Sequence, residues 1–365
     1  MLTVRRAAAV AVLALVSLST AACNNDKSSD SASGGGGERL KIALLLPESQ
    51  TTRYESFDRP MFEAKVKELC DTCDVVYKNA NSDKATQQAQ AEAAITEGVK
   101  VIVFDAVDAE SAGLSVDKAK QKNIPVVSYD RLISKADLAA YISFDNEKVG
   151  KLQAQALVDK LKKDGKTSGK VVMINGDKKD NNALLFNKGA HSVLDSSGFT
   201  VTPTEDFWSE WKPANAQTFM EGQIAQLGKT GFVGVYAAND GTAGGAIAAM
   251  RAKGIDPIPP ITGQDAEKAA IQRILSGEQY MTIYKAIKPQ AEKAAEFAVA
   301  LAKGQSVTTT TTVNNGTMDV PSVLLDPVAV TVENLKDTIF ADKFYTAADV
   351  CTGEFAAACK TAGIE

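Results

Sequence analysis

The chain of 365 residues has one histidine, His191, and five cysteines. A single imidazole excludes multi-histidine metal sites and argues against a His-based catalytic triad. His191 also lies mid-helix in the pattern, between Ala190 and Ser192, and no GxSxG or HExxH stretch is present. Positive charge is not in excess: 40 Lys and Arg face 45 Asp and Glu, a formal charge of −5. That balance argues against a nucleic-acid binder, which needs a basic face. Apolar residues make up 45% of the chain, yet they are spread out, which excludes a multi-span membrane protein. Aromatics are scarce at 6%, with two tryptophans. What remains is an ordinary globular composition, long enough for two domains.

The N-terminus departs from that average. Arg5 and Arg6 precede an apolar run, Ala7 to Leu18, too short to span a bilayer and typical of a secretory signal. Leu18-Ser19-Thr20-Ala21-Ala22-Cys23 resembles a bacterial lipobox, although Thr20 stands where Leu is usual. The polar tract Asn24–Ser33 and the run Gly34–Gly37 follow, a composition that cannot build a core and behaves as a flexible leash. We therefore expect a signal peptide at 1–22, lipid on Cys23 and a linker at 23–38. Losing residues 1–22 removes both Arg and leaves a charge of −7.

Four cysteines remain, and an exported protein meets an oxidising environment that favours disulfides. Two local bridges are expected, Cys70–Cys73 and Cys351–Cys359, among the three connectivities that four cysteines allow. A CxxC is also a redox or half-zinc motif, but no second CxxC and no nearby histidine accompany it.

From Leu40 onward strands and helices alternate. Strands are expected at Leu40–Leu46, Val75–Tyr77, Val99–Phe104, Ile124–Tyr129, Lys170–Ile174, Phe232–Ala237 and Tyr280–Tyr284. Helical faces fall at Phe62–Leu69, Lys84–Glu97, Asp117–Asn123, Lys148–Lys163, Asn182–Ser196, Ala243–Lys253, Glu267–Ser276 and Gln290–Lys303. Continuous apolar strands joined by helices indicate the doubly wound parallel α/β class. About 280 residues of this pattern exceed one comfortable core, so two lobes are expected. The first takes 39–144 plus about 285–316, and the second 145–284 plus about 317–345. A tail, 346–365, carries the last disulfide.

Ligands of such sheets bind beyond the carboxyl ends of the strands. Those ends carry Arg53-Tyr54, Asp130-Arg131, Asp180-Asn181-Asn182, Asn239-Asp240, Gln264-Asp265 and Lys285, with Trp208 and Trp211 after Val201. A sugar hydroxyl is both donor and acceptor, which suits carboxylates, Asn amides and cationic forks together. Trp and Tyr supply flat apolar faces for the ring. Asp and Asn after strands are also common helix caps; six such ends with both Trp favour a binding cleft.

The motifs Tyr129-Asp130-Arg131, Tyr141–Gly150, Asp180-Asn181-Asn182-Ala183, Asn239–Ala246, Gly263-Gln264-Asp265, Tyr284-Lys285, Asn314-Asn315-Gly316 and Asp319–Ser322 closely resemble the D-xylose-binding proteins of bacterial ABC transporters. The resemblance runs from about Leu40 to Phe340. It implies a type I periplasmic-binding-protein fold, with two lobes, a three-segment hinge and a monosaccharide in the cleft. By position it implies sugar contacts from Arg53, Tyr54, Asp130, Arg131, Asn182, Trp211, Asn239, Asp265 and Lys285, and hinge roles for Asp145, Asn146 and Tyr284. Trp208 is expected to pack near the rim, and Asp240 to cap the helix that follows it. In the first loop the family has Arg followed by Trp. Here Arg53 is followed by Tyr54, with the spacing to Asp58-Arg59 one residue longer.

The expected partners are D-xylose, an ABC permease and the membrane through the lipid anchor alone, with no nucleic acid, no cofactor, no metal and a monomeric state. Three other readings compete. One is a receptor for glucose, galactose, arabinose or several sugars, feeding a permease or a sensor kinase. Another is a glycosidase using Asp130 and Asp265, which Arg53, Arg131 and Lys285 oppose by holding both carboxylates ionised. The third, a transcription regulator of the same architecture, conflicts with the export signal.

Overall fold

The computed structural model describes residues 39–364. The signal peptide 1–22, the lipidation site Cys23 and the linker 23–38 therefore lie outside the described residues. The first lobe begins with β1 (Leu40–Leu46), whose side chains alternate between two cores. Ile42, Leu44 and Leu46 enter one cluster and Ala43 and Leu45 the other, as a strand covered on both faces requires. After it come α1 (Arg59–Leu69), β2 (Cys73–Asn79), α2 (Lys84–Thr96), β3 (Val101–Phe104), α3 (Gly113–Gln121), β4 (Val126–Tyr129) and β5 (Ala140–Phe144).

The chain then crosses into α4 (Asn146–Lys163) and builds the second lobe. This comprises β6 (Lys170–Ile174), α5 (Asn181–Leu194), β7 (Thr200–Thr202), α6 (Pro213–Leu227), β8 (Gly234–Ala237), α7 (Asp240–Ala252), α8 (Lys268–Ser276) and β9 (Thr282–Tyr284). Helix α9 (Ile287–Ala302) returns to the first lobe, where Ala291, Ala294 and Ala298 join the β1 cluster. The hairpin β10 (Thr311–Asn314) and β11 (Asp319–Leu325) follows, then β12 (Val328–Val330) and the tail helices α10 (Ala347–Val350) and α11 (Ala356–Thr361).

The first sheet has the order β10-β11-β5-β4-β3-β1-β2, parallel except for the β10–β11 hairpin. The second has the order β7-β6-β8, parallel, and is prolonged by bridges from Val235 to Ile261 and from Gln264 to Ile283 of β9. Apolar side chains fill both faces of each sheet. Two doubly wound lobes result, and the strand-helix alternation read from the sequence is the one observed.

One boundary differs from expectation. Residues 317–325 belong to the first lobe: β11 pairs in parallel with β5, Ser322 opposite Tyr141. Gly316, at φ +93° in the Asn314–Gly316 turn, reverses the chain so that both hairpin arms stay in one sheet. The last crossing comes after Leu325, whose carbonyl accepts from the Asp145 N–H of the first crossing at 2.9 Å. Asp145 also caps α4, its carboxylate accepting from Lys148 N–H at 3.0 Å. Tyr284 ends β9 at the second crossing. Both expected disulfides are formed.

Several elements escape the sequence pattern, among them β5, β7, α6, β12 and the tail helices α10 and α11. The pattern does not single out β5 (Ala140–Phe144) as a strand, and α6 opens on Pro213 with a weak apolar face of Ala216, Met220 and Ile224.

Candidate functional site

All nine residues expected at the cleft line one cavity at the carboxyl ends of the two sheets. Each is placed by the element it ends or begins. The first loop forms a π-helical turn, Tyr54–Asp58, running directly into α1, a local bulge of the kind that collects at functional sites. It buries Arg53 and Tyr54 and points Asp58 back at Arg53: the guanidinium donates to Asp58 Oδ2 at 3.0 Å and Oδ1 at 2.8 Å. Asp130 follows β4 at φ +57°, a left-handed conformation stabilised because its carbonyl accepts from Tyr141, Ser143 and Asn182. Trp211 (φ +59°) and Asp265 (φ +92°) are likewise left-handed. Such strain gathers where surrounding structure fixes a side chain's aim.

The charges form a chain across the cleft. Asp265 of the second lobe lies 2.9 Å from Lys285 Nζ and 3.4 Å from Arg53 Nη1 of the first. Arg53 Nη2 reaches Asp130 Oδ1 at 3.4 Å, and Gln290 of α9 donates to the same oxygen at 3.2 Å. The Tyr54 hydroxyl donates to Asp130 Oδ2 at 3.1 Å and accepts from Arg131 Nη2 at 3.4 Å. Burial works to raise the Asp130 pKa, but Arg53, Lys285 and Arg131 outweigh it and hold the carboxyl well below the usual range. Asp130 is thus ionised, an acceptor only.

Arg131 is held less tightly. Its Nε lies 3.1 Å from Asp180 Oδ2 and 3.6 Å from Asp105 Oδ1, yet aligns to donate to neither. Both Asp105 oxygens are likewise buried without a hydrogen-bond partner. Burial drives the Asp105 pKa well up against the pull of Arg131, and raises Asp180 to about 6.

On the second-lobe side, Asp180 caps α5 through Asn182 N–H and accepts from Trp211 Nε1 at 3.1 Å. Asn182 accepts from Asn146 Nδ2 at 2.8 Å, possible because α4 and α5 meet at Gly150 and Gly189. A Cβ on Gly189 would come within 2.1 Å of the Glu147 carbonyl oxygen. Phe186 meets Trp211 edge-on with ring centroids 6.3 Å apart. Trp208, by contrast, is half-buried and pairs through its backbone with Asn175, away from the cavity.

Asp240 does not cap α7. Asn239 does, accepting from Thr242 N–H at 2.9 Å, because it alone keeps the extended backbone a cap needs. Its amide nitrogen is left for the cavity. Asp240 instead lies inside the helix, accepting from Gln279, Thr282 and the Glu267 N–H.

Four cavity-lining residues go beyond the expected set: Thr51, Asp180, Phe186 and Gln264. Asp180 and Gln264 sat within motifs already marked, and Phe186 lies one helical turn beyond Asn182. Asp105 was legible as an acid ending β3. Gln290 left no signal.

The cavity itself measures about 20 Å³, room for about one water. A larger hollow of about 820 Å³ lies near the opposite ends of the second-lobe strands, around Lys160, Phe232 and Pro257, and contains none of these groups. Among the described residues no helix is long and apolar enough to cross a membrane, and no cluster of metal-ligating side chains occurs.

Comparison with known proteins agrees with this fold. The model of the periplasmic binding protein domain matches residues 42–306. The chain belongs to the periplasmic binding protein family. Members of this family are exported and act outside the cytoplasm. Among relatives of this binding protein, the D-xylose-binding periplasmic protein of Escherichia coli is 41% identical over 84% of this chain and 92% of its own length. The D-xylose-binding periplasmic protein of Haemophilus influenzae is 39% identical over 84% and 91%. The multiple sugar-binding receptor ChvE of Rhizobium radiobacter is 34% identical over 73% and 80%. An ABC transporter solute-binding protein from Clostridium phytofermentans, solved with β-D-glucose bound, superposes with a TM-score of 0.79 at 29% identity, covering 85% of this chain and 99% of that one. The binding protein therefore has the type I fold of sugar receptors.

Proposed function

We propose that the protein is an extracytoplasmic receptor that captures D-xylose by closing its two lobes and delivers it, as a monomer, to an ABC permease. The observation that carries this reading is the cross-cleft set itself: ionised Asp130, the carboxyl group of Asp265, the cationic side chains of Arg53, Arg131 and Lys285, the amides of Asn182 and Asn239, and the ring faces of Trp211, Phe186 and Tyr54. Sugar hydroxyls meet acceptors and donors alternately there, with charge-assisted bonds on both sides. Arg131, ion-paired but with its Nε lacking an aligned acceptor, is suited to a ligand oxygen. Two relatives at about 40% identity are named for D-xylose binding, which favours that sugar over the several sugars of ChvE.

Each lobe carries half of the set, so the sugar bridges them and favours the closed form, a population shift rather than a separate event. A cavity of about 20 Å³ is smaller than a pentose, so capture involves widening and reclosing the cleft. Asp145, Asn146 and Tyr284, at or beside the crossings, serve as the hinge. Glycoside hydrolysis through the Asp130–Asp265 pair is disfavoured, because a general acid needs a raised pKa whereas Asp130 is held down by three cations.

Lipid on Cys23 tethers the receptor to the outer face of the cytoplasmic membrane; a mature mass lacking a diacylglycerol on Cys23 contradicts the anchor. The binding reading is tested by calorimetric titration across aldoses. D-xylose is expected to bind at one site and Asp265→Ala to weaken it at least about a hundredfold, since that change leaves Arg53 and Lys285 buried without their shared anion.

A further inference from the structure

The C-terminal segment after β12 belongs to neither sheet, and nothing in the sugar reading uses it. Its base is anchored on the second lobe. Ile339, Val350 and Cys359 pack with Ile271 and Ile274 of α8, Gln272 donates to the Val350 carbonyl at 3.1 Å, and the Cys351–Cys359 disulfide closes the loop between α10 and α11. From that base Phe344 and Tyr345 reach the first lobe. The Phe344 ring stacks on Phe57 with centroids 4.1 Å apart and planes 20° from parallel. Tyr345 meets Phe57 edge-on at 5.5 Å, and Phe344 meets Tyr284, the residue before Lys285, at 5.2 Å.

Phe57 lies in the π-helical turn between Tyr54 and Asp58. The turn that carries Arg53, Tyr54 and the Asp58 clamp is therefore gripped from outside by a tail rooted on the opposite lobe. We propose that Phe344 and Tyr345 are positioning residues for the sugar site: they seat the Arg53–Asp58 turn against the second lobe when the cleft closes. The role rests on sugar capture by closure. Opening the lobes separates Phe57 from a tail fixed to α8, so the stacking energy adds to closure and slows release.

The test compares the full chain with Phe344→Ala, Phe344→Tyr and Val350→Ala by D-xylose calorimetry, stopped-flow dissociation and thermal unfolding. The cross-lobe stack on Phe57 that Phe344→Ala removes corresponds to an up to about tenfold weaker Kd, expected mainly as faster dissociation. Phe344→Tyr, which keeps the ring, restores wild-type affinity. Val350→Ala, which touches only the base, lowers the melting temperature and leaves Kd unchanged. Phe57→Ala approaches the same contact from the first lobe and should reproduce the tenfold loss even where Phe344→Ala folds poorly. The proposal is overturned where Phe344→Ala and Phe57→Ala bind with wild-type affinity, or where Val350→Ala weakens binding as much as they do. Wild-type protein that binds no aldose sinks the sugar reading instead.

Discussion

At the scale of single residues, the site is organised by ion pairs that are buried yet incompletely satisfied. Taking charges out of water is costly unless partners compensate, and here Asp58, Asp130 and Asp265 surround one guanidinium, that of Arg53. The aromatic face depends on a residue with no side chain. A Cβ on Gly176 would lie 2.1 Å from the Trp211 ring, so Gly176→Ala forces the indole out of its seat against Phe186 and off the Asp180 carboxylate. We expect Gly176→Ala to weaken sugar binding about tenfold or more and to shift Trp fluorescence; unchanged affinity and emission would contradict the placement of Trp211. Strand-end Asp, Asn, Arg and Lys were legible as polar exceptions in an apolar pattern, and the family resemblance implied which of them, with Tyr54 and Trp211, would meet the sugar. Gln290 and Phe186 were not, since a glutamine or phenylalanine on an amphipathic helix reads as ordinary surface or core.

At the scale of elements, helix starts do double duty. Asn239 caps α7 while lining the cavity, and Asp145 caps α4 at a crossing. Where α7 and α8 begin, two carboxyls are buried together. Burial pushes Asp240 up to about 7 and Glu267 up to about 8, with the neighbouring Asp240 and Asp265 charges adding to the Glu267 shift and Arg273 opposing it. A carboxyl whose folded pKa exceeds its unfolded value of about 4 contributes stability that is complete at low pH and lost as pH rises through the folded pKa. Glu267→Gln, neutral throughout, should therefore gain melting temperature relative to wild type between pH 5 and pH 9; a pH-independent difference would contradict the assignment. The sequence pattern located most of these elements because apolar periodicity tracks burial directly. It misplaced β11, because an extended segment of alternating burial does not say which sheet it joins.

At the scale of the whole molecule, two sheets, three crossings and a returning hairpin place complementary half-sites face to face. Contacts outside the cavity also span the closed cleft, including Ala109 N–H to the Lys179 carbonyl at 2.9 Å. Closure thus has a framework of its own, and the sugar supplies the differential affinity that shifts its population. The overall architecture was readable from strand-helix alternation and family motifs, whereas the tail's grip on Phe57 depends on contacts between residues far apart in sequence. The account stands most directly on a calorimetric titration of the full chain with D-xylose. It predicts saturable heat with one site per chain; an absence of heat with D-xylose and with every other pentose and hexose at millimolar concentration would contradict it.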